Sequence, residues 1–560
     1  MRRLMCLVER RPSRLLSVRP SLIFLLEDPL PSRNAVGVDR RTFMRYTGAI
    51  GVATAVTAGL TACGGPASSQ GASGGSDAGG DTIEAGLSYP LSTGFDPMIT
   101  SGATPYAANM HIFEGLVDLD PATLTARPAL ATKMPQKINA TTYRATLRKG
   151  ATFHDGSPVR AEDVVFSFER VLDPENASLM AQFVPFIDQV TAVDASTVEF
   201  KLKHPFALFP SRISVVRVVP EKIAGADPKG FDAAPVGSGP YRFVQAVRED
   251  KIVMEAYDRY NGPHPAKAGR MVWRLMSDPS ARVSALESGR VQAIEDVPYI
   301  DVKGITGENT VESVQSFGLL FLMFNCADER FADKRVRQAL HYALDTEKII
   351  STALLGNAEA ASGYVPPTHP DYHKAATVYR HDVAKAKKLL AEAGAGKLSF
   401  TLLVTDTGWV KDIAPLLKES WAEAGIEARL DIAQSPAQYA KVDKGAFEVL
   451  AAPGDPSVFG NDADLLLRWF YYGFWPEKRY GWAGSPVYKK TRSLLDRAAR
   501  EADAGRRKEL WGEVTDLVAE EAALYPVLHR KLPTAWHSGA LTGFKPLPTT
   551  GLSFVGVGRA

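Results

Sequence analysis

Residues 386–394, AKKLLAEAG, and residues 416–425, LLKESWAEAG, decide the fold class. Each is a helical run that stops at a glycine, Gly394 or Gly425, where a left-handed cap ends a helix without a Cβ penalty. Strand-like runs follow at 398–404 and 428–432. Helix, glycine, strand, twice in succession, predicts α/β layering. Working outward, further strand-like runs at 142–147, 197–202 and 319–324 alternate with helical patterns. In AEDVVFSFERVL, residues 161–172, the side chains of Val164, Val165, Phe168, Val171 and Leu172 share one face at 3.6 spacing. The run RVRQALHYALDTEKIISTAL, 335–354, reads as one helical pattern on Val336, Leu340, Leu344 and Ile349. No repeat of 20–50 residues occurs, and no linker interrupts the chain after residue 81, so its domains are expected to share chain crossings.

The chain has 560 residues, 45% apolar and 23% charged, which fits a globular protein and excludes wholesale disorder. Its formal charge of +2 is unevenly placed. Residues 1–62 hold ten arginines, no lysine and four acids, leaving 55 basic against 59 acidic residues beyond them. A body at −4 offers no electrostatic reason for nucleic-acid binding. Three cysteines, Cys6, Cys63 and Cys326, allow neither a disulfide framework nor a cysteine zinc site in the body.

Residues 39–65, DRRTFMRYTGAIGVATAVTAGLTACGG, read as an export signal. The 17 residues from Tyr46 to Ala62 are uncharged but too short and too rich in Gly, Ala and Thr for a comfortable spanning helix. Arg40 and Arg41 resemble a twin-arginine signal, and Leu60-Thr61-Ala62-Cys63-Gly64 resembles the lipobox of bacterial lipoproteins. That resemblance implies lipidation of Cys63 and cleavage after residue 62; the alternative is an uncleaved anchor with Cys63 a bystander. Residues 63–81 are Gly, Ser and Ala-rich and read as a flexible tether, placing a folded body outside the cytoplasmic membrane. Residues 1–38 carry no signal for a role.

Catalytic signatures are scarce. GAGKLS, 394–399, fails as a phosphate loop because Ala391 replaces its first glycine and Leu398 its Ser/Thr. PVGSGPY places Ser238 between glycines without a nucleophile-elbow frame. His369 and His373 are four apart in HPDYH, but the prolines around them oppose a helical zinc site. His154-Asp155 reads first as turn chemistry, with an acid/base pair as the alternative. The aromatic run 469–482 (Trp469, Phe470, Tyr471, Tyr472, Phe474, Trp475, Tyr480, Trp482) reads first as core, with a cleft wall as the alternative. No catalytic residue, metal or cofactor is therefore expected.

Several segments together resemble one family, the extracellular solute-binding proteins of family 5, the peptide and nickel branch of ABC importers. They are LRKGATFHDGSPVRAEDVVFSFERVL (147–172), PVGSGPYRF (235–243), YNGPHP with ALESGRVQAI, FNCADERFADKRVRQALHYALD (324–345), YVPP (364–367) and DVAKAKKLLAEAG (382–394). The resemblance implies an α/β type II periplasmic-binding-protein fold, two lobes with a hinge plus an inserted subdomain in the first. Mapped here, lobe I takes 82–122, 235–326 and 527–560, the subdomain 123–234, and lobe II 327–526. It also implies a monomer that works with permease and ATPase subunits, the latter hydrolysing ATP.

Ligand residues follow from the same resemblance. In GFDPMITSGATPY (94–106), Thr100, Ser101 and Gly102 match the segment that touches the ligand backbone in dipeptide binders; the alternative is a plain loop. In FEVLAAPGDPSVFGND (447–462), Asp455 matches the acid that pairs with a peptide's ammonium, with Asp462 and Asp464 as competitors and a turn acid ahead of Pro456 as the alternative. A closed cleft expels water, so a buried ammonium needs a carboxylate. The family's tryptophan is missing near Ala452, and its Arg/Tyr pair for the peptide carboxylate has no match in VTDTGWVKD (404–412), where Trp409 and Lys411 are the cleft candidates. The expected ligand is a peptide or peptide-like solute captured by lobe closure. A nickel chelate, an oligosaccharide and an opine-like solute are alternatives, and an extracellular hydrolase or a sensing lipoprotein are rival readings.

Overall fold

The structure, a computed structural model, describes residues 81–560. The arginine pair, Cys63 and nearly all of the 63–81 tether lie outside the described residues. From β1 (Thr82–Leu87) the chain runs through α1 (Ala103–Ile112) to β2 (Gln136–Lys137), β3 (Thr142–Thr146), α2 (Ala161–Leu172), β4 (Ile187–Asp194) and β5 (Thr197–Leu202). Strands β6 (Tyr241–Val247), β7 (Lys251–Ala256), β8 (Arg270–Leu275) and β9 (Ala293–Ile294) lead to the long β10 (Asn309–Phe324). Helices α3 (Lys334–Tyr342), α4 (Thr346–Ala353) and α5 (Val383–Glu392) precede β11 (Ser399–Thr405), α6 (Gly408–Glu423), β12 (Glu427–Ala433) and β13 (Val449–Gly454). Helices α7 (Ala463–Tyr471), α8 (Pro486–Arg500) and α9 (Ala504–Glu521) end on the return strand β14 (Leu524–His537).

An 11-stranded mixed sheet runs β12-β11-β13-β10-β14-β9-β1-β8-β7-β6, with Ala358–Ala360 added beside β14. The predicted α/β layering is present: β11 lies parallel to both β12 and β13, α6 joins β11 to β12, and the glycines that follow α5 and α6 are left-handed, with φ +66° at Gly394 and +80° at Gly425. A separate sheet, β2-β3-β5-β4, packs against α2 in the 123–234 region.

The run GLLFLMF at the end of β10 explains the layers. Leu319, Phe321 and Met323 enter one apolar cluster, while Leu320, Leu322 and Phe324 enter another. Alternation at period 2 sends successive side chains to opposite faces, and here both faces are covered. A third cluster, around Ile83, Ala107, Ile112, Trp273 and Phe554, packs β1, α1 and β8 together with the C-terminal segment. The glycine turn of PVGSGPY sits against α1, where a Cβ on Gly237 would stand 2.0 Å from the Ile112 carbonyl oxygen.

The continuous pattern read over 335–354 is in fact two helices, α3 and α4. Asp345 starts the second, its carboxylate accepting the Lys348 N–H at 2.9 Å. An N-cap acid inside an apolar repeat restarts the helix in a new direction while keeping Leu344 and Ile349 buried.

Candidate ligand-binding crevice

Strands β10 and β14 pair antiparallel from Asn309↔His537 to Met323↔Leu524. At one end β14 also pairs with β9, and at the other β10 pairs with β13, so the two strands link the two halves of the large sheet. Their register breaks in the middle: Gln315 faces Lys531, Leu319 faces His529, and Ser316, Phe317 and Gly318 bulge opposite Arg530. The bulge is satisfied locally. Ser316 Oγ donates to the Arg530 carbonyl at 2.8 Å, and His529 Nδ1 is 2.8 Å from the Phe317 carbonyl. Burial pushes the His529 imidazole down to about 4, so it is the neutral donor.

Polar groups gather beside this bulge. Arg530, 3% exposed, donates from Nη2 to Asp296 Oδ1 at 2.8 Å. Its guanidinium lies 4.8 Å from the Trp409 ring centroid, so a residue flanking β9 and one opening α6 meet on it. Trp409 is buried and its Nε1 has no acceptor among the described residues. The Thr405 hydroxyl, fully buried at the end of β11, is also unpartnered there. Tyr299 donates to the Lys531 carbonyl at 3.1 Å, and burial raises the phenols of Tyr89 and Tyr299 above their ordinary value.

Asp455 follows β13. Its Oδ1 accepts from Ser457 Oγ, and its Oδ2 accepts from the Thr550 N–H at 2.9 Å and the Thr550 hydroxyl at 3.1 Å. Burial pushes its carboxyl above the usual carboxylate range, against the hydrogen bonds and the Arg530 charge, which favour ionisation. Thr550 in turn lines a cavity with Tyr106, Arg217 and Phe459.

The other expected residues fall as follows. Thr100 is buried, its hydroxyl 2.7 Å from Thr93 Oγ1 and donating to the Gly94 carbonyl, so it braces its own loop. Ser101 is exposed, and Gly102 opens α1 where a Cβ would stand 2.6 Å from Ser92 Oγ. Asp96, at the root of this loop, is clamped by Arg170 at 2.6 Å. Lys411 is exposed on α6. Asp462 and Asp464 are taken by Arg212 of the 123–234 region, and Asp464 also by Arg468 at 2.9 Å, a buried ionic cluster.

The turn reading of His154 matches its surroundings. Its Nδ1 accepts the Gly237 N–H at 3.2 Å, its Nε2 is 3.0 Å from the Gly239 carbonyl, and Asp155 accepts from Ser157. His369 and His373 bond the Asn461 carbonyl and Asp516 respectively, rather than one shared point. In the aromatic run Phe470, Tyr471, Trp475, Tyr480 and Trp482 are core, whereas Phe474 is 52% exposed and Trp469 packs on Phe183 and Phe459. Sequence reasoning missed Arg530, Asp296 and Tyr89. The available signal was His529-Arg530-Lys531 interrupting an otherwise apolar return strand.

The model of bacterial extracellular solute-binding proteins, family 5 Middle, matches residues 125–475. The glutathione-binding protein GsiB of Salmonella choleraesuis (strain SC-B67) is 27% identical over 472 residues, covering 82% of this chain and 91% of that protein. The structure of the binding protein AgaA with agropinic acid from A. tumefacien R10 is similar at a TM-score of 0.75 and 28% identity, covering 84% of this chain and 96% of that one. DppA from Helicobacter pylori, bound to the peptide STSA, shares the fold at a TM-score of 0.76 and 23% identity, over 85% and 98% of the two chains.

Proposed function

Because this chain belongs to the bacterial extracellular solute-binding proteins of family 5, we propose that it captures a peptide or peptide-like solute between its lobes and hands it to an ABC permease. The observation that carries this reading is the Asp455 carboxylate, buried where residues following β13 meet the C-terminal segment beside a two-strand crossing. Glutathione and the STSA peptide, named for two of the similar proteins, each carry a free ammonium and a free carboxylate. A buried carboxylate is the complement of the ammonium in such solutes. Asp455 takes the ammonium, Ser101 and Gly102 offer polar and close backbone contacts on a loop braced by Thr100, and Trp409 supplies a wall. The lobe boundaries are those given above, with residues 123–234 as the subdomain. The protein binds without turning its ligand over, as a monomer, and a separate subunit hydrolyses ATP. Cys63 carries the lipid anchor that holds the body at the extracytoplasmic face; each buried methylene of such a chain contributes ~0.8 kcal/mol.

Calorimetry on the ligand-stripped protein with glutathione, Met-Leu and Ser-Thr-Ser-Ala tests the reading. Asp455→Ala is expected to weaken the bound solute at least about tenfold, or about 1.4 kcal/mol. Unchanged affinity would remove Asp455 from the site, and a cleaved peptide would replace the receptor with a hydrolase.

A further inference from the structure

We propose that Arg530 seats a carboxylate of the ligand, so that the crevice takes a zwitterion with its ammonium at Asp455 and its carboxylate at Arg530. The proposal rests on the solute-receptor reading and narrows its ligand class.

Arg530 presents five N–H donors in a planar fork, and it is buried to 3% exposure. Asp296 satisfies Nη2, whereas Nη1 has no acceptor among the described residues. Trp409, stacked on the same guanidinium, also keeps a buried Nε1 without an acceptor. Two buried donors meeting unmatched on one stack are a ready place for an acceptor arriving from outside. A planar carboxylate matches the guanidinium fork and the neighbouring indole N–H.

Asp296 acts as the brace. It holds a left-handed backbone at φ 54°, unfavourable for a residue with a Cβ, and from there fixes one edge of the guanidinium. The Arg282 guanidinium supports that turn by donating to the Asp296 carbonyl at 2.8 Å. Glu295 does not compete for Arg530, being engaged by the Ser88 N–H at 3.0 Å. Local charge sets the ligand class. Two guanidinium groups, Arg530 and Arg282, stand among three carboxyl groups, Asp296, Glu295 and Asp455, which suits a solute carrying its own ammonium and disfavours a dianionic phosphate. Position adds a consequence. Arg530 stands opposite the bulge shared by β10 and β14, between Asp296 of the first lobe and Trp409 of the second. An anion seated there touches both lobes and stabilises their approach.

The test uses the ligand-stripped full chain and three probes, glutathione, Met-Leu and Ser-Thr-Ser-Ala, each with carboxylates free and with them converted to amides. The wild-type protein is expected to bind a free acid about 30-fold more tightly than its amide, and Arg530→Gln to lose that preference. Arg530→Lys keeps a charge beside Asp296 and hence the fold; its preference should shrink at least about fivefold, because an ammonium lacks the bidentate fork. Equal wild-type affinity for acid and amide would overturn the Arg530 assignment while leaving the receptor reading intact. A preference undiminished in Arg530→Lys or in folded Arg530→Gln would do the same. No binding of any acid or amide would instead overturn the peptide reading and, with it, this assignment.

Discussion

Asp455 accepts three hydrogen bonds, two of them from Thr550, and still has a carboxyl raised above its ordinary range, because burial outweighs them. Such a group contributes stability that is fully present below the unfolded-state value and is lost as pH rises through the folded value. At neutral pH the ligand-free protein therefore carries a penalty at this position. Asp455→Asn should raise its melting temperature at pH 7 and leave it unchanged at a pH below the carboxylate range. Scanning calorimetry at the two pH values checks this, and a lower melting temperature at pH 7 would show that hydrogen bonds, not burial, dominate there. The same substitution should weaken an ammonium ligand. Stability and binding would then move in opposite directions, as expected where a site keeps an unfavourable group for use. Asp455 could be singled out from the sequence because a short motif surrounds it. Arg530 could not, since its partners Asp296 and Trp409 lie 234 and 121 positions away in the chain.

At the scale of elements, most of the secondary structure was legible where local chemistry is strong. The helix read over 161–172 and its face of Val164, Phe168 and Val171 are as expected, and both glycine-ended helices stop where predicted. The split between α3 and α4 was hidden, because the apolar spacing over 335–354 survives the restart. Its cause makes a prediction. Asp345→Ala removes the acceptor for the Lys348 N–H and should destabilise the body by about 1 kcal/mol, read from urea unfolding. A change near zero would mean that packing of Ile349, not the cap, starts α4. The strand predicted at 319–324 was recognised only in its inner half. Residues 309–316 are mostly polar and only partly buried, and the bulge at 316–318 interrupts them, so their pairing with β14 comes from chain return rather than from an apolar run.

At the scale of the molecule, the 123–234 region and α7 touch through Arg212, Asp462, Asp464 and Arg468. Phe183 stacks on Trp469 at 5.8 Å beside them. Removing one partner from a buried ion pair typically costs about 3–5 kcal/mol, enough to hold the 123–234 region on α7. Arg212→Met should shift the ligand-free protein toward an open form, with a larger radius of gyration in small-angle scattering and weaker ligand binding. An unchanged profile would place the cluster outside the closing motion. Ligand added to the wild-type protein should compact it, since a solute shifts such an equilibrium only by preferring one state.

The sequence by itself determined the layered α/β class, the helix stops, the family landmarks and the loop that carries Asp455. Each depends on residues within one turn or strand of each other, where periodicity, capping and turn chemistry act. Tertiary structure alone decided that Asp462 and Asp464 serve an ionic cluster, that Thr100 braces its own loop, and that Arg530 lies between Asp296 and Trp409. Those roles depend on burial and on which distant side chain comes within hydrogen-bond reach, and neither is set until the two long strands have crossed and paired.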